Sequence, residues 1–328
     1  MLRKARIILS VVIFGLITFY FLDFAEILPN SFHRLAHIQF VPALMSLSFI
    51  ILAVLILITL LLGRIYCSTI CPMGIFQDIV TWISKKTAKK KKRFRYSPAR
   101  NILRWGVLGV TAIAFLFGFT VILGLLDPYS AFGRMTVNVF KPVYMLGNNL
   151  LESIFSSFNN YTFYQVDASL LSISSFVIGL LTFLVIGFLA WKYGRIWCNT
   201  ICPVGTLLGF LSRFSLFKVR IDTEKCNHCG LCATKCKASC INSPEQTIDY
   251  SRCVDCFDCL GECRQNALSY TTPLKTEKQV TDASKRRFLL AGLTTAAATP
   301  KVMAQAQNVA AVAAGMKSDK RQTPITPP

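Results

Sequence analysis

Four apolar stretches of this chain lack charge for long enough to matter: Ile7–Leu22, Gln39–Gly63, Trp105–Leu126 and Ala168–Trp191. The last three exceed the roughly 20 apolar residues that a helix needs to cross hydrocarbon. The first is shorter and spans only if Arg6 and Asp23 sit at the two headgroup layers, with Arg6 snorkelling. Its rival reading is a cleavable signal, since MLRKAR is a basic leader. No small-x-small site follows and ITFYFLDFAE is too bulky for one, so an uncleaved helix is expected. Between the second and third stretches lies an amphipathic segment, IFQDIVTWISKK. A second one, TLLGFLSRFSLFK, follows the fourth stretch. In 127–169, a DPYS turn precedes NVFKPVYMLGNNLLESIFSSF. Its apolar residues recur at three and four, which predicts an interfacial helix.

Composition agrees with a membrane protein: 53% of residues are hydrophobic and the mean hydropathy is +0.49. The net charge of +20 is placed by the same pattern. Residues 1–6, 64–104 and 192–221 carry nineteen Lys and Arg, while 23–38 and 127–169 carry three. The positive-inside rule then puts the N-terminus and the segment from Lys192 to about Arg287 in the cytoplasm, with 23–38 and 127–169 outside. The basic runs serve orientation and contact with anionic lipid rather than nucleic acid.

All thirteen cysteines fall on that reducing side, so thiolates for metal are favoured over disulfides. Eight of them spell C-x2-C-x2-C-x3-C twice, as CNHCGLCATKC and CVDCFDCLGEC. Each run carries the ligands of a [4Fe–4S] cluster, and in two-cluster ferredoxins the fourth cysteine serves the other cluster. The expected sets are Cys226, Cys229, Cys232 with Cys263, and Cys253, Cys256, Cys259 with Cys236. Structural zinc is the competing reading. The proline that usually follows the fourth cysteine is Lys237 in one run and Arg264 in the other.

A further motif is duplicated. GRIYCSTICPMG (63–74) recurs as GRIWCNTICPVG (194–205), with nine of twelve positions identical. A residue before proline leaves the α region, and proline suits the first turn of a helix. Cys71 and Cys202 are therefore expected at helix N-termini, where the dipole favours a thiolate. Parallel repeats about an axis along the membrane normal can gather Cys67, Cys71, Cys198 and Cys202 into one additional metal or cluster site. The plainer reading is four small buried hydrophobes.

Other features carry less. His33 and His37, four apart in an outward loop, suit proton release or haem ligation, though surface histidines are the simpler reading. His228 is expected to hydrogen-bond or shield the first cluster, and Cys240 has no assigned role. SKRRFLLAGLTTAAATPKVMAQA (284–306) resembles an internal twin-arginine export signal, with a fifth membrane helix or a disordered tail as alternatives. No general acid–base pair or nucleophile stands out.

Two GRxxCxxxCPxG motifs at the ends of membrane helices, followed by two four-cysteine runs, resemble the NapH family over about residues 1–270. Those proteins are membrane quinol dehydrogenase subunits with cytoplasmic iron–sulfur clusters, and the membrane part of the NosR regulators is similar. The resemblance implies electron delivery from membrane quinol toward a periplasmic ferredoxin or reductase subunit, in a bacterial inner membrane. A second relative, the CcoG-type oxidase accessory protein, implies metal reduction for assembly instead. A non-catalytic redox sensor or anchor is the third class. The expected fold is an all-α polytopic membrane protein with four transmembrane helices, or five, in a parallel internal repeat. It carries a small α+β two-cluster ferredoxin-like domain. The expected boundaries are 1–221, 222–272 and a linker at 273–328.

Overall fold

The computed structural model describes residues 2–23, 39–46, 48–88, 94–157, 164–166 and 172–272. His33, His37, the run Lys89–Arg93 and the twin-arginine-like segment lie outside the described residues. Among the described residues, helices α1 (Leu2–Leu22) and α10 (Ile173–Tyr193) are long and apolar enough to cross a membrane. Only 17% of the apolar window of each is buried, so Ile8, Val11, Phe19, Ile173 and Phe188 point outward. A core helix of a water-soluble protein would bury such side chains.

The other two apolar stretches are interrupted. Gln39–Gly63 divides into α2 (Phe40–Met45) and α3 (Phe49–Leu62). The chain turns there through the bonds Ser46 N to Pro42 O and Ser48 N to Ala43 O. Trp105–Leu126 falls within α6 (Asn101–Leu116) and α7 (Thr120–Leu126). Between them Gly118 adopts φ +77°, and Phe119 N donates to Ala114 O to close the turn. Four transmembrane helices, or five, are expected from the sequence; among the described residues two of the four stretches form continuous helices and two are broken. At 14 and 16 residues, α3 and α6 fall short of about 20.

Four further helices are formed or opened by the repeat motifs. The first motif forms α4 (Tyr66–Thr69) and opens α5 (Pro72–Thr87). The second forms α11 (Ile196–Thr200) and opens α12 (Pro203–Leu211). The expected DPYS turn is instead a helix start. Asp127 caps α8 (Pro128–Met135) by accepting from Ser130 N at 2.7 Å, with Pro128 in the first turn. A π-helical turn over Thr136–Phe140 leads into α9 (Lys141–Ser156), which buries none of its residues.

The amphipathic segments do not lie free. Phe76 of α5 packs on Phe183 of α10, with ring centroids 5.8 Å apart. Further along, Thr81 Oγ1 donates to Ala190 O (3.2 Å) and Ser84 Oγ to Trp191 O (2.9 Å). The partners advance together, so α5 and α10 run side by side in the same direction. The second repeat returns the arrangement. Helix α12 packs against α3, and just beyond it Leu216 N and Phe217 N donate to Leu60 O and Leu61 O. Each repeat therefore lays its second helix on the first long helix of the other.

The cysteine-rich region holds two antiparallel ribbons. Strand β1 (Lys218–Ile221) pairs with β4 (Leu268–Thr271), Lys218 opposite Thr271. Strands β2 (Ile241–Asn242) and β3 (Thr247–Ile248) form the other ribbon, after the short helix α13 (Leu231–Lys235). Tyr270 Oη donates to Leu62 O at 2.8 Å and its ring stacks on Phe217. Buried apolar side chains run without a break from Ile17 and Phe132 through Met73 and Leu208 to Val219 and Val254.

Candidate metal centres

The two repeat motifs interlock. Gly63 and Gly194 end α3 and α10 at φ +79° and +73°, a backbone that favours glycine. A Cβ on Gly63 would stand 2.3 Å from Asp255 Oδ2, and one on Gly194 would stand 2.5 Å from Lys237 O. The glycines thus turn the chain and admit the cysteine-rich region. The arginines that follow are wholly buried and cross over. Arg64 Nη2 donates to Cys198 O (3.4 Å), and Arg195 Nη1 donates to Cys67 O (2.9 Å). Arg64 Nη1 also reaches Asn199 Oδ1 and Ser251 O. The closeness is fixed by Gly74 and Gly205, where a Cβ would lie 2.2 and 2.1 Å from those same two carbonyl oxygens.

This exchange brings in four buried cysteines, and three of the sulfurs have a nitrogen donor. Arg64 Nη2 lies 3.9 Å from Cys67 Sγ, and Gln77 Nε2 lies 3.2 Å from Cys198 Sγ. Gly205 N donates to Cys202 Sγ at 3.2 Å, whereas Cys71, at the matching place, makes no side-chain capping bond. Cys71 and Cys202 are the N-cap residues of α5 and α12, as the proline argument expects. Burial pushes the Cys198 thiol up to about 11 despite the pull of Arg195, and pushes Cys71 and Cys202 well above the usual range. Such groups stay protonated until a metal takes the proton's place.

The surroundings want an anion. The guanidinium of Arg64 is fully buried, and Arg104 beside it is 3% exposed; both donate to Ser251 O at 3.0 Å. Among the described residues neither makes an ion pair, since Asp255 bonds the backbone N of Arg64 instead. An isolated buried cation costs several kcal/mol, roughly, and thiolates in a metal–sulfur centre would offset it. An all-sulfur donor set suits zinc or iron–sulfur chemistry. Among the described residues, no three His, Cys, Asp or Glu side chains converge as they would on one metal ion. A cubane instead takes each thiolate at a separate iron.

The two cysteine runs close around two cavities. One is lined by Cys226, Cys229, Cys232 and Cys263 among Ile221 and Leu268. The other is lined by Cys236, Cys253, Cys256 and Cys259 with Val219 and Phe257. Each cavity thus collects three cysteines of one run and the last of the other. The backbone repeats too: His228, Gly230 and Ser239 in one run match Asp255, Phe257 and Asn266 in the other, all with positive φ. The cavities differ in access. Cys229 is exposed, whereas Cys236 and Cys259 are buried.

Several residues stand differently from the expectations. The ring nitrogens of His228 face Ser243 O (3.3 Å) and Gln246 Nε2 (3.1 Å) rather than a sulfur. Cys240, left without a role, lines the second cavity with its Sγ 3.5 Å from that of Cys236. Its spacing, four beyond Cys236, was the available signal. Asp78 was missed because the other repeat has Gly209 at its position.

Comparison with known proteins falls on the repeats. A family model described as a 4Fe-4S binding domain matches residues 44–91 and 175–222, so both matched stretches hold a GRxxC motif and end before Cys226. The uncharacterized protein MJ0749 of Methanocaldococcus jannaschii is 26% identical over 68% of this chain and 71% of its own length. The ferredoxin-type protein NapH of Haemophilus influenzae is 22% identical over 69% of each chain. The methylamine utilization ferredoxin-type protein MauN of Paracoccus denitrificans is 29% identical over 53% of this chain, which spans about half (48%) of MauN. No solved structure matches.

Proposed function

We propose, for a chain that belongs with the NapH- and NosR-like 4Fe–4S proteins, a membrane-bound electron-transfer subunit that draws electrons from the quinol pool for a periplasmic ferredoxin or reductase partner. Ferredoxin-type relatives support the electron-transfer role. The observation that carries the reading is the sorting of eight cysteines into two cavities, each of three from one run and one from the other. Cys226, Cys229, Cys232 and Cys263 would hold one [4Fe–4S] cluster, and Cys236, Cys253, Cys256 and Cys259 a second. Cys67, Cys71, Cys198 and Cys202 would hold a further metal–sulfur centre. Its support is the nitrogen donors at Cys67, Cys198 and Cys202 and the buried Arg64, which makes no ion pair among the described residues. When bound, such centres take up and release single electrons at potentials from about −700 to +450 mV. The protein's own groups bind thiolates, exclude water and set charge.

Anaerobically purified protein is expected to hold about eight iron atoms from the two runs and about twelve with the third site. EPR should show interacting [4Fe–4S] signals that stoichiometric quinol reduces. Tightly bound zinc without iron would end this reading.

The chain is further proposed to lie in the inner membrane of a bacterium with its cysteine-rich region in the cytoplasm. Its α1 and α10, with the two interrupted stretches, would be the spans. Reporter fusions after Lys92 and Tyr270 are expected to read cytoplasmic, and one at Asn148 periplasmic, from the nineteen-to-three distribution of Lys and Arg. A periplasmic signal after Tyr270 would overturn the orientation.

A further inference from the structure

Lys237 holds the place after the last cysteine of the first run, where proline is usual, and its side chain is 12% exposed. Its Nζ lies 2.9 Å from Asp258 Oδ2 and 3.2 Å from Asp78 Oδ2. Asp258 stands between Cys256 and Cys259 in the second run and also takes Arg3 Nε at 2.9 Å. Asp78 stands on α5 and takes Arg195 Nε at 2.7 Å and Arg6 Nη1 at 3.2 Å. One chain of charges therefore joins α1, α5, the second GRxxC motif and both cysteine runs. Burial by itself would raise the Asp78 carboxyl, but Arg195, Lys237 and Arg6 hold it well below the usual carboxylate range.

The network has no counterpart on the other side of the internal symmetry. Gly209 replaces Asp78 in the second repeat, and Arg264, at the place of Lys237 in the second run, is exposed. Lys237 follows Cys236 directly and stands near enough to Cys256 for their charges to interact, and both cysteines line the second cavity. Reduction of a cluster adds negative charge, which a fixed cation stabilises most where water is excluded.

We propose that Lys237, fixed between Asp78 and Asp258, is the residue that tunes the centre held by Cys236, Cys253, Cys256 and Cys259 to a higher potential than the proline found elsewhere would give. It also ties that centre to the repeat motifs. The inference rests on these cysteines holding an iron–sulfur cluster. Lys237 acts by charge and position and touches no reacting atom.

The test is an EPR-monitored redox titration of the full-length, cluster-loaded protein. Cys229→Ser identifies the signal of the first-cavity centre. In Lys237→Gln the midpoint of the second-cavity centre is expected to fall by about 59 mV or more, a tenfold change in its one-electron equilibrium. In Asp78→Asn it is expected to rise, and in Lys237→Arg to stay. The first-cavity centre should stay in place throughout. Loosened packing would move the glutamine and asparagine variants the same way, so opposite shifts belong to charge. Midpoints unmoved, shifted alike in both variants, or shifted equally in both centres would overturn the proposal. If Lys237→Gln fails to load, the Asp78→Asn and Lys237→Arg pair decides, since a midpoint that does not rise in the first overturns it. Wild-type protein without [4Fe–4S] signals would instead fail the underlying assignment.

Discussion

Replacing Cys202 with serine is expected to bring quinol-driven reduction down to background, with Cys71→Ser doing the same. The two sulfurs occupy equivalent N-caps, and Cys202 accepts the backbone N–H of Gly205. A hydroxyl there keeps the hydrogen bond but has far too high a pKa to replace a thiolate on iron. Iron should fall from about twelve to about eight per chain, while the two cavities formed by the cysteine runs stay loaded and reducible by dithionite. The plainer role, small buried hydrophobes, predicts a modest loss of stability and near-normal quinol oxidation. That second pattern, with unchanged iron, would remove the third centre from the scheme.

Gly205→Ala and Gly74→Ala are expected to be the most damaging substitutions to the fold. The new methyl would lie 2.1 Å from Cys198 O or 2.2 Å from Cys67 O. Neither oxygen can retreat, because each is held by the arginine of the other repeat. Overpacking typically costs about 1–3 kcal/mol; against backbone on both sides the upper figure, about 3 kcal/mol or more, is expected. Gly187→Ala in α10 is the control, with nothing within 4 Å of its added carbon. It should be neutral or stabilising by up to about 1 kcal/mol, since glycine disfavours helix. Thermal unfolding in detergent, followed by cysteine accessibility, reads all three. Equal midpoints for Gly205→Ala and Gly187→Ala would refute the interlock.

Much of this arrangement was legible in the chain. Spacing identified the two cysteine runs, and the two-cluster ferredoxin pattern, in which the last cysteine of a run serves the other cluster, put Cys263 with Cys226, Cys229 and Cys232, the four that line one cavity. Proline after Cys71 and Cys202 placed both at helix starts, where the structure has them. What spacing could not supply was the partner of each surface. The apolar face of α5 is plain in IFQDIVTWISKK, yet periodicity names no neighbour, and the neighbour is the long helix of the other repeat. The breaks at Ser46–Ser48 and Gly118 sit inside charge-free runs, where hydropathy is blind to a backbone turn. Lys237 read as a departure from a motif because its two carboxylates lie 159 and 21 positions away.

The crossed packing also sets an order of events during synthesis. Asp78 leaves the ribosome 117 residues before Arg195 and 159 before Lys237. At about 5–20 residues per second, its carboxylate waits roughly 6 to 23 seconds for the first of these two. Helix α5 waits as long for α10, the surface it covers. The first half therefore cannot mature as it emerges. It must remain half-assembled, with only Arg6 near Asp78, until the second half arrives to close it. A duplicated chain built this way ties the quality control of one half to the completion of the other.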